Sequence, residues 1–390
     1  MSAPTTSTPT STRGAAAAQA PVAAGHAWVD YDLHGLVGIR LIGASAGDAA
    51  AVTRQLGPVQ APLARDPDIT IRFVERLPLR GGLRYLGLGE AGFTDDSFLV
   101  LRGKHGTHAG VMVPFEQIGG PCELVCQTGL KAVPLLIAIV NLTMLAKGVL
   151  PLHAAALRYG DTGIVATGWS KGGKTETLLA FAAHGATYIG DEWVYLDADE
   201  ARVYGIPEPV RVWDWHLREL PELAARLDRS DRARLGALRA AVGLGERLPR
   251  RLRQAAARPL RALKRQLHAD VAPGRLFGAA RCAASAPFDR LIFVGSHASE
   301  EVTVRPIDPE EVARRMVFSL EYERLPLTDY YLRFRFAFPQ LRNELIEGAE
   351  ELQRQLLLRA LEGKRSHAVY HPYPVTAAAL FSAIAPLVRP

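Results

Sequence analysis

Gly163-Ile164-Val165-Ala166-Thr167, then Gly168-Trp169-Ser170-Lys171-Gly172-Gly173-Lys174-Thr175, then Glu176-Thr177-Leu178-Leu179-Ala180-Phe181-Ala182-Ala183-His184-Gly185. An apolar β-rich run, a glycine-rich turn and a helical stretch closed by glycine follow one another without a gap. The central eight residues match G-x-x-x-x-G-K-[ST] at every fixed position, in the strand-then-helix setting that the motif requires. Glycines let successive backbone N–H groups of Gly168 to Thr175 turn inward around phosphates, and the N-terminus of the following helix adds partial positive charge. Lys174 places a cation on the β- and γ-phosphates of a nucleotide, and the Thr175 hydroxyl is the expected Mg²⁺ ligand. The competing reading is a glycine-rich turn that happens to precede a helix. Nothing in the loop separates ATP from GTP.

The flanks of this stretch add chemistry. Upstream, in LPLHAAALRYGDTGIVATG, two β-rich runs flank the turn Tyr159-Gly160-Asp161-Thr162-Gly163 and read as a hairpin. Downstream, Ile189-Gly190-Asp191-Glu192-Trp193 sets two adjacent acids at the end of a short apolar run. A carboxylate there either holds Mg²⁺ or accepts the proton of an attacking hydroxyl, unless both acids simply face solvent in a turn. His153 stands before the hairpin, where a core histidine and a catalytic one are equally good readings.

In this order of features the chain resembles the bacterial HPr kinase/phosphorylase group, whose core is related to phosphoenolpyruvate carboxykinase. The residues that carry the resemblance are Leu152-His153, the hairpin, Gly168 to Thr175 followed by Glu176, Gly185, and Asp191-Glu192, about 50 residues from His153 to Val203. The resemblance implies an α/β fold with a P-loop kinase core, an N-terminal β-rich α+β domain and a helical insertion. It places His153 against the nucleotide phosphates, makes Asp191 the base that activates an acceptor hydroxyl, and gives Glu176 or Glu192 a part, with Thr175, in holding Mg²⁺. Asp191-Glu192 replaces the usual Asp-Asp of the group, and the downstream glycine-rich signature of the bifunctional enzymes is missing, GIPEPVRVWDW standing in its place. HPr itself and the reverse phosphorolysis are therefore not carried over. The domain order is more similar to divergent HPr-kinase-like proteins, among them kinases of ribosomally made peptides such as lasso peptides. The expected activity is ATP-dependent transfer of the γ-phosphate to a Ser or Thr hydroxyl of a peptide or protein, with a small metabolite as second acceptor. A nucleotide-dependent switch with slow hydrolysis is the alternative from another class. Homo-oligomers are common in the group, so the resemblance extends that expectation here.

The rest of the chain frames this segment. At 390 residues it exceeds one ordinary core, so more than one domain is expected. Residues 1–26, rich in Ser, Thr, Pro and Ala, read as a disordered tail without an apolar signal segment. Residues 27–130 alternate short apolar runs with turns, as in GLVGIRLIG, ITIRFVE, SFLVLRG and CELVCQ, with a helical DAAAVTRQLG among them, and read as the α+β domain. The core is expected over 131–215 and again over 285–390, the last part mostly helical. Val133 to Leu145 is the most apolar run, but Asn141 and Thr143 interrupt it and it is too short for the roughly 20 residues a membrane span needs. It reads as a buried helix, and no membrane partner is expected.

Between Arg211 and Arg281 stand 17 Lys and Arg against 7 Asp and Glu, whereas the net charge of the whole chain is +6. Residues 216–284 read as a basic helical insertion or lid, with helices near Leu217–Ala241 and Leu248–His268. Its cations are either a solvated face or a means of capturing an acidic substrate. Aromatics are nearly absent after Trp215 and no nucleic-acid motif is present, which argues against nucleic acid as partner. An arginine of this insertion, or Arg314-Arg315, is available to stabilise charge on a γ-phosphate. Tyr330, Tyr331, Phe334, Phe336 and Phe338 have the spacing of a packed hydrophobic layer. Cys122, Cys126 and Cys282 are too few for a disulfide framework and lack a second pair for zinc, as expected of a reducing cytoplasm.

Overall fold

The structure, a computed structural model, describes residues 28–103 and 108–388. The expected N-terminal tail lies outside them. The protein is a mixed α/β molecule with two large sheets.

The first sheet holds β1 (Trp28–Leu33), β2 (Val37–Ile42), β3 (Ile69–Val74), β4 (Arg84–Leu86), β5 (Ala91–Phe93), β6 (Phe98–Arg102), β7 (His108–Met112) and β8 (Cys122–Gln127). Helix α1 (Ala46–Leu56) joins β2 to β3. It starts at a capping box in which Ser45 and Asp48 satisfy each other's backbone N–H groups. The spatial order is β1-β2-β3-β8-β7-β6-β5-β4, with β2, β3 and β8 parallel. Along β3 the side chains of Ile69, Ile71 and Phe73 alternate inward, the period of two expected of a half-buried strand.

The apolar run after this sheet forms α2 (Leu136–Ala146). Its start falls after Pro134 and after Leu135, whose φ is +63°. Apolar on nearly every side, α2 is buried between layers, touching β2 on one side and the second sheet on the other.

The second sheet is built from β9 (Leu150–Tyr159), β10 (Thr162–Thr167), β11 (Thr187–Gly190), β12 (Trp193–Asp197), β13 (Arg202–Gly205), β16 (Ser285–Pro287), β17 (Arg290–Ser296), β18 (Thr303–Pro306) and β19 (Arg365–His371), with a separate pair, β14 (Val210–Trp213) and β15 (His268–Val271). Its order is β16-β13-β12-β9-β10-β17-β19-β18, and β11 also pairs with β9. β9 and β10 form the expected antiparallel hairpin, whereas β10, β17 and β19 run parallel. Helices fill most of the C-terminal part, as expected, and β19 is a strand among them that the sequence reading did not place. Its seven residues pair with β17 in parallel, a contact distant in sequence that local patterning cannot reveal.

Helix α3 (Lys174–Ala182) follows β10 and is closed by Gly185 at φ +87°, with Ala186 N–H donating to Phe181 O as helix C-termini often require. Helices α9 (Pro309–Ala337), α10 (Glu344–Leu361) and α11 (Ala377–Val388) complete the C-terminal part. α2, α9 and α10 lie between the two sheets, so one continuous apolar core runs from Tyr31 and Phe115 to Leu152 and Tyr195. Tyr331, Phe334 and Phe338 are buried in it, as their spacing suggested, while Phe336 is exposed.

The basic insertion is α4 (Asp214–Glu219), α5 (Pro221–Ala224), α6 (Arg229–Glu246), α7 (Arg250–Ala255) and α8 (Ala257–Arg265). Two expected helices are thus five. Pro221 opens α5 after Leu220 closes α4, and Asp228 ends the first group before α6 begins. The expected run to His268 ends at Arg265, because His268 already pairs with Trp213 in the β14/β15 ribbon that closes the insertion. Val210, Val212, Leu217 and Leu223 anchor that base in one apolar cluster with Leu178 and Phe181 of α3. Helices α7 and α8 bury no residue, so their cations are exposed, as both sequence readings require.

Candidate active site

The glycine-rich loop leaves the C-terminal end of β10, with β17 and β9 on either side, which is where open α/β sheets place ligands. Two of its glycines are fixed by contact. Gly168 has φ +151°, and a Cβ there would come 2.1 Å from Val294 O. Gly173 has φ +111° and a Cβ would come 2.2 Å from His371 Nε2. Both distances are far below contact, so the loop lies directly on β17 and on the end of β19.

His371, fully buried, supports the loop from below: its Nε2 lies 2.9 Å from Gly172 O and its Nδ1 2.8 Å from Pro372 O. Nothing in the sequence before Pro372 marks it, because its role depends on where β19 ends.

Lys174 opens α3 and is buried, with Nζ donating to Trp169 O at 3.0 Å. Burial pulls its pKa down, against the opposing charges of Glu192, Asp191, Glu323 and Glu176. The Thr175 hydroxyl donates to the Asp191 carboxylate, 3.2 Å from Oδ1 and 3.1 Å from Oδ2. Asp191 is only 3% exposed. Burial, reinforced by the charge of Glu192, pushes its pKa up to about 7, while the Thr175 hydroxyl and Lys174 pull the other way. Such a carboxyl exchanges its proton near neutrality.

The turn between β11 and β12 separates the two acids. Glu192 takes φ +68°, uncommon for a residue with a Cβ, and Trp193 N–H donates back to Asp191 O at 2.9 Å. Asp191 consequently faces Thr175, and Glu192 faces His153. His153 Nε2 lies 2.9 Å from Glu192 Oε2. That hydrogen bond holds the Glu192 carboxyl below its ordinary range despite burial. On the other side of the ring, His153 Nδ1 is 3.0 Å from Glu323 Oε1 of α9, close enough for charge attraction but not aligned as a hydrogen bond. Burial would depress the His153 pKa, but the two carboxylates together raise it. The Trp193 ring lies 5.7 Å from the imidazole.

Lys174, Thr175, Asp191, Glu192 and His153 are thus brought together around the loop. Glu176, expected with Thr175 and Glu192 as a metal ligand, also meets His216 of α4, whose Nε2 is 3.4 Å from Glu176 Oε1. That contact ties the loop helix to the insertion. Ser170 and Lys171 lie at the crest of the loop, Lys171 with φ +63°, and the half-exposed Trp169 ring sits 5.1 Å from Tyr322. Arg314 and Arg315 are drawn to Glu310 and Glu311. Glu323 and His371 are the site residues that reading the sequence missed.

Among the described residues no three His, Cys, Asp or Glu side chains form a cluster able to hold a metal ion unaided. The Thr175 hydroxyl beside Asp191 is nevertheless an oxygen donor set that suits Mg²⁺, which characteristically takes one or two protein oxygens and completes its shell from phosphates and water. No described helix is long and apolar enough to cross a membrane. Comparison with protein-family models finds no match for this chain, and comparison with curated proteins finds none either.

Proposed function

We propose that the protein is an ATP-dependent phosphotransferase with a P-loop kinase core of the HPr-kinase and phosphoenolpyruvate-carboxykinase type. The observation that carries this reading is the Thr175–Asp191 contact at the mouth of a glycine-rich loop, with a buried lysine one residue before Thr175. Backbone N–H groups of Gly168 to Thr175 would cradle the phosphates, and Lys174 would leave Trp169 O for the β- and γ-phosphates. Mg²⁺, held by Thr175 and a carboxylate of the Asp191-Glu192 pair, would neutralise charge on the β- and γ-oxygens. Asp191 accepts the proton of an acceptor hydroxyl as its oxygen bonds to the γ-phosphorus, and the bond from that phosphorus to the β-phosphate oxygen breaks to release ADP. His153, whose pKa the two neighbouring carboxylates raise against burial, orients Glu192 through its Nε2.

The acceptor is a Ser or Thr hydroxyl of a peptide or protein, with a small metabolite second. Purified protein mixed with γ-labelled ATP and hydroxyl-bearing acceptors tests the proposal through label found on the acceptor. Label released only as phosphate supports instead a nucleotide-dependent switch. The observation favouring that reading is the Glu176–His216 contact, through which a change at the loop would reach the insertion.

A further inference from the structure

A cavity of about 450 Å³ lies between the two sheets, beneath α2 and α9. Leu142, Leu145, Pro151, Trp193, Leu320 and Leu327 give it a largely apolar wall. Its charged neighbours neutralise one another within the protein. Arg324 is taken by Gln353 and Glu321, Arg102 pairs with Glu90, and Glu323 faces His153. A charged ligand would therefore find no free countercharge there.

Two amide groups on the wall are different. Gln353, 4% exposed, spends its Oε1 on Arg324 Nη1 at 3.0 Å, and because arginine can only donate, the Gln353 Nε2 must point elsewhere. Asn141, 8% exposed, accepts the Tyr195 hydroxyl through Oδ1 at 3.1 Å. Among the described residues neither amide nitrogen forms a hydrogen bond, and neither is closed off from contact, so both are open to a ligand's oxygen. An apolar chamber with two unspent donors is built for an uncharged apolar body carrying a carbonyl or hydroxyl oxygen.

The chamber also adjoins the site. Glu323 and Trp193 line it, and both lie against His153. We infer that it binds the apolar, uncharged body of the phosphate acceptor, its oxygen received by Gln353 and Asn141. The acceptor role rests on the kinase reading; the existence of the binding site does not. A peptide with an apolar residue near its serine and a free apolar alcohol share this chemistry.

Ala138 is a half-buried wall residue of α2, so Ala138→Phe fills the chamber without touching the loop. Nile red, uncharged, apolar and bearing a carbonyl, is the probe. Its fluorescence titration should show saturable binding to the full chain that weakens about tenfold or more in Ala138→Phe. Gln353→Glu keeps the acceptor for Arg324 and removes the donor, and should weaken binding by a similar factor. Unchanged thermal unfolding and unchanged ATP affinity in both variants show that fold and loop are intact. Equal Nile red binding by wild type and Ala138→Phe overturns the site, and an effect of Ala138→Phe alone overturns the donor role of Gln353. Transfer from γ-labelled ATP is then compared for blocked Leu-Ser and Gly-Ser peptides and for free apolar alcohols. Preference for Leu-Ser marks a peptide acceptor, and preference for the alcohols a metabolite, each lost in Ala138→Phe. Transfer indifferent both to the apolar group and to Ala138→Phe overturns the acceptor role. Nile red binding without ATP binding overturns the kinase reading alone.

Discussion

His153 Nδ1 stands 3.0 Å from Glu323 Oε1, so an imidazole from the second sheet is held between a carboxylate of the α9 helix and the Glu192 carboxylate. Because the two carboxylates raise the His153 pKa against its burial, removing either charge should lower it. NMR titration of His153 should show a lower pKa in Glu323→Gln than in wild type. Stability due to His153 is fully present below the ordinary histidine pKa and fades as pH rises through the raised folded value. Glu323→Gln should therefore narrow the stability difference between pH 6 and pH 8. A His153 pKa unmoved by Glu323→Gln would contradict the arrangement.

Asp191 gives a dependence of the same sign, beginning at lower pH. Its folded pKa of about 7 lies above the ordinary 3.8, so between those values the folded chain holds the extra proton. Stability attributable to Asp191 accordingly falls as pH rises from about 4 to about 7, by up to roughly 4 kcal/mol. Asp191→Asn removes that loss: denaturant unfolding should find the variant more stable than wild type at pH 8 and similar to it at pH 4. Equal destabilisation at both would show that Asp191 is not buried in this way.

Gly173 and His371 form a steric pair. Gly173→Ala sets a Cβ where His371 Nε2 already lies, and the positive φ adds about 1 kcal/mol or more of strain. The variant should lose about 2 kcal/mol of stability and bind ATP more weakly. In Gly173→Ala/His371→Ala the clash disappears, so the double variant should be more stable than the sum of the single changes predicts. Strict additivity in chemical unfolding would contradict the contact.

The outer helices of the insertion are expendable for folding. α7 and α8 contain no buried residue, the half-buried Leu260 of α8 packs on Gly245 of α6, and the Lys264–Glu246 pair is half-exposed, the kind of contact worth about 1 kcal/mol or less. Replacing 250–265 with a short Gly-Ser linker should change the free energy of unfolding by about 1 kcal/mol or less. A loss of several kcal/mol would mean that these helices cover an apolar face.

The hairpin, the loop, α3 and the Asp191-Glu192 turn were legible because each is local. Apolar period, glycine position and helix start all fall within a few residues of one another, and β9 through β12 form where those signals lie. Glu323 and His371 were not. Glu323 is one acid among several on a long helix, and only the packing of α9 against β9 gives it a histidine. His371 acquires its place from the parallel pairing of β19 with β17, made across a long stretch of chain. The β14/β15 ribbon was hidden in the same way, its halves lying on either side of five helices.

Separating binding from transfer for Asp191 decides whether the loop serves a kinase. ATP affinity with Mg²⁺, by calorimetry, and single-turnover transfer to an accepted hydroxyl should be measured together for wild type, Lys174→Ala and Asp191→Asn. Lys174→Ala should weaken ATP binding about 100-fold. Asp191→Asn should still bind ATP, within about tenfold of wild type, while transfer slows by about 100-fold or more. Undiminished transfer in Asp191→Asn, or undiminished binding in Lys174→Ala, would contradict a phosphotransferase built on Gly168 to Thr175 and Asp191.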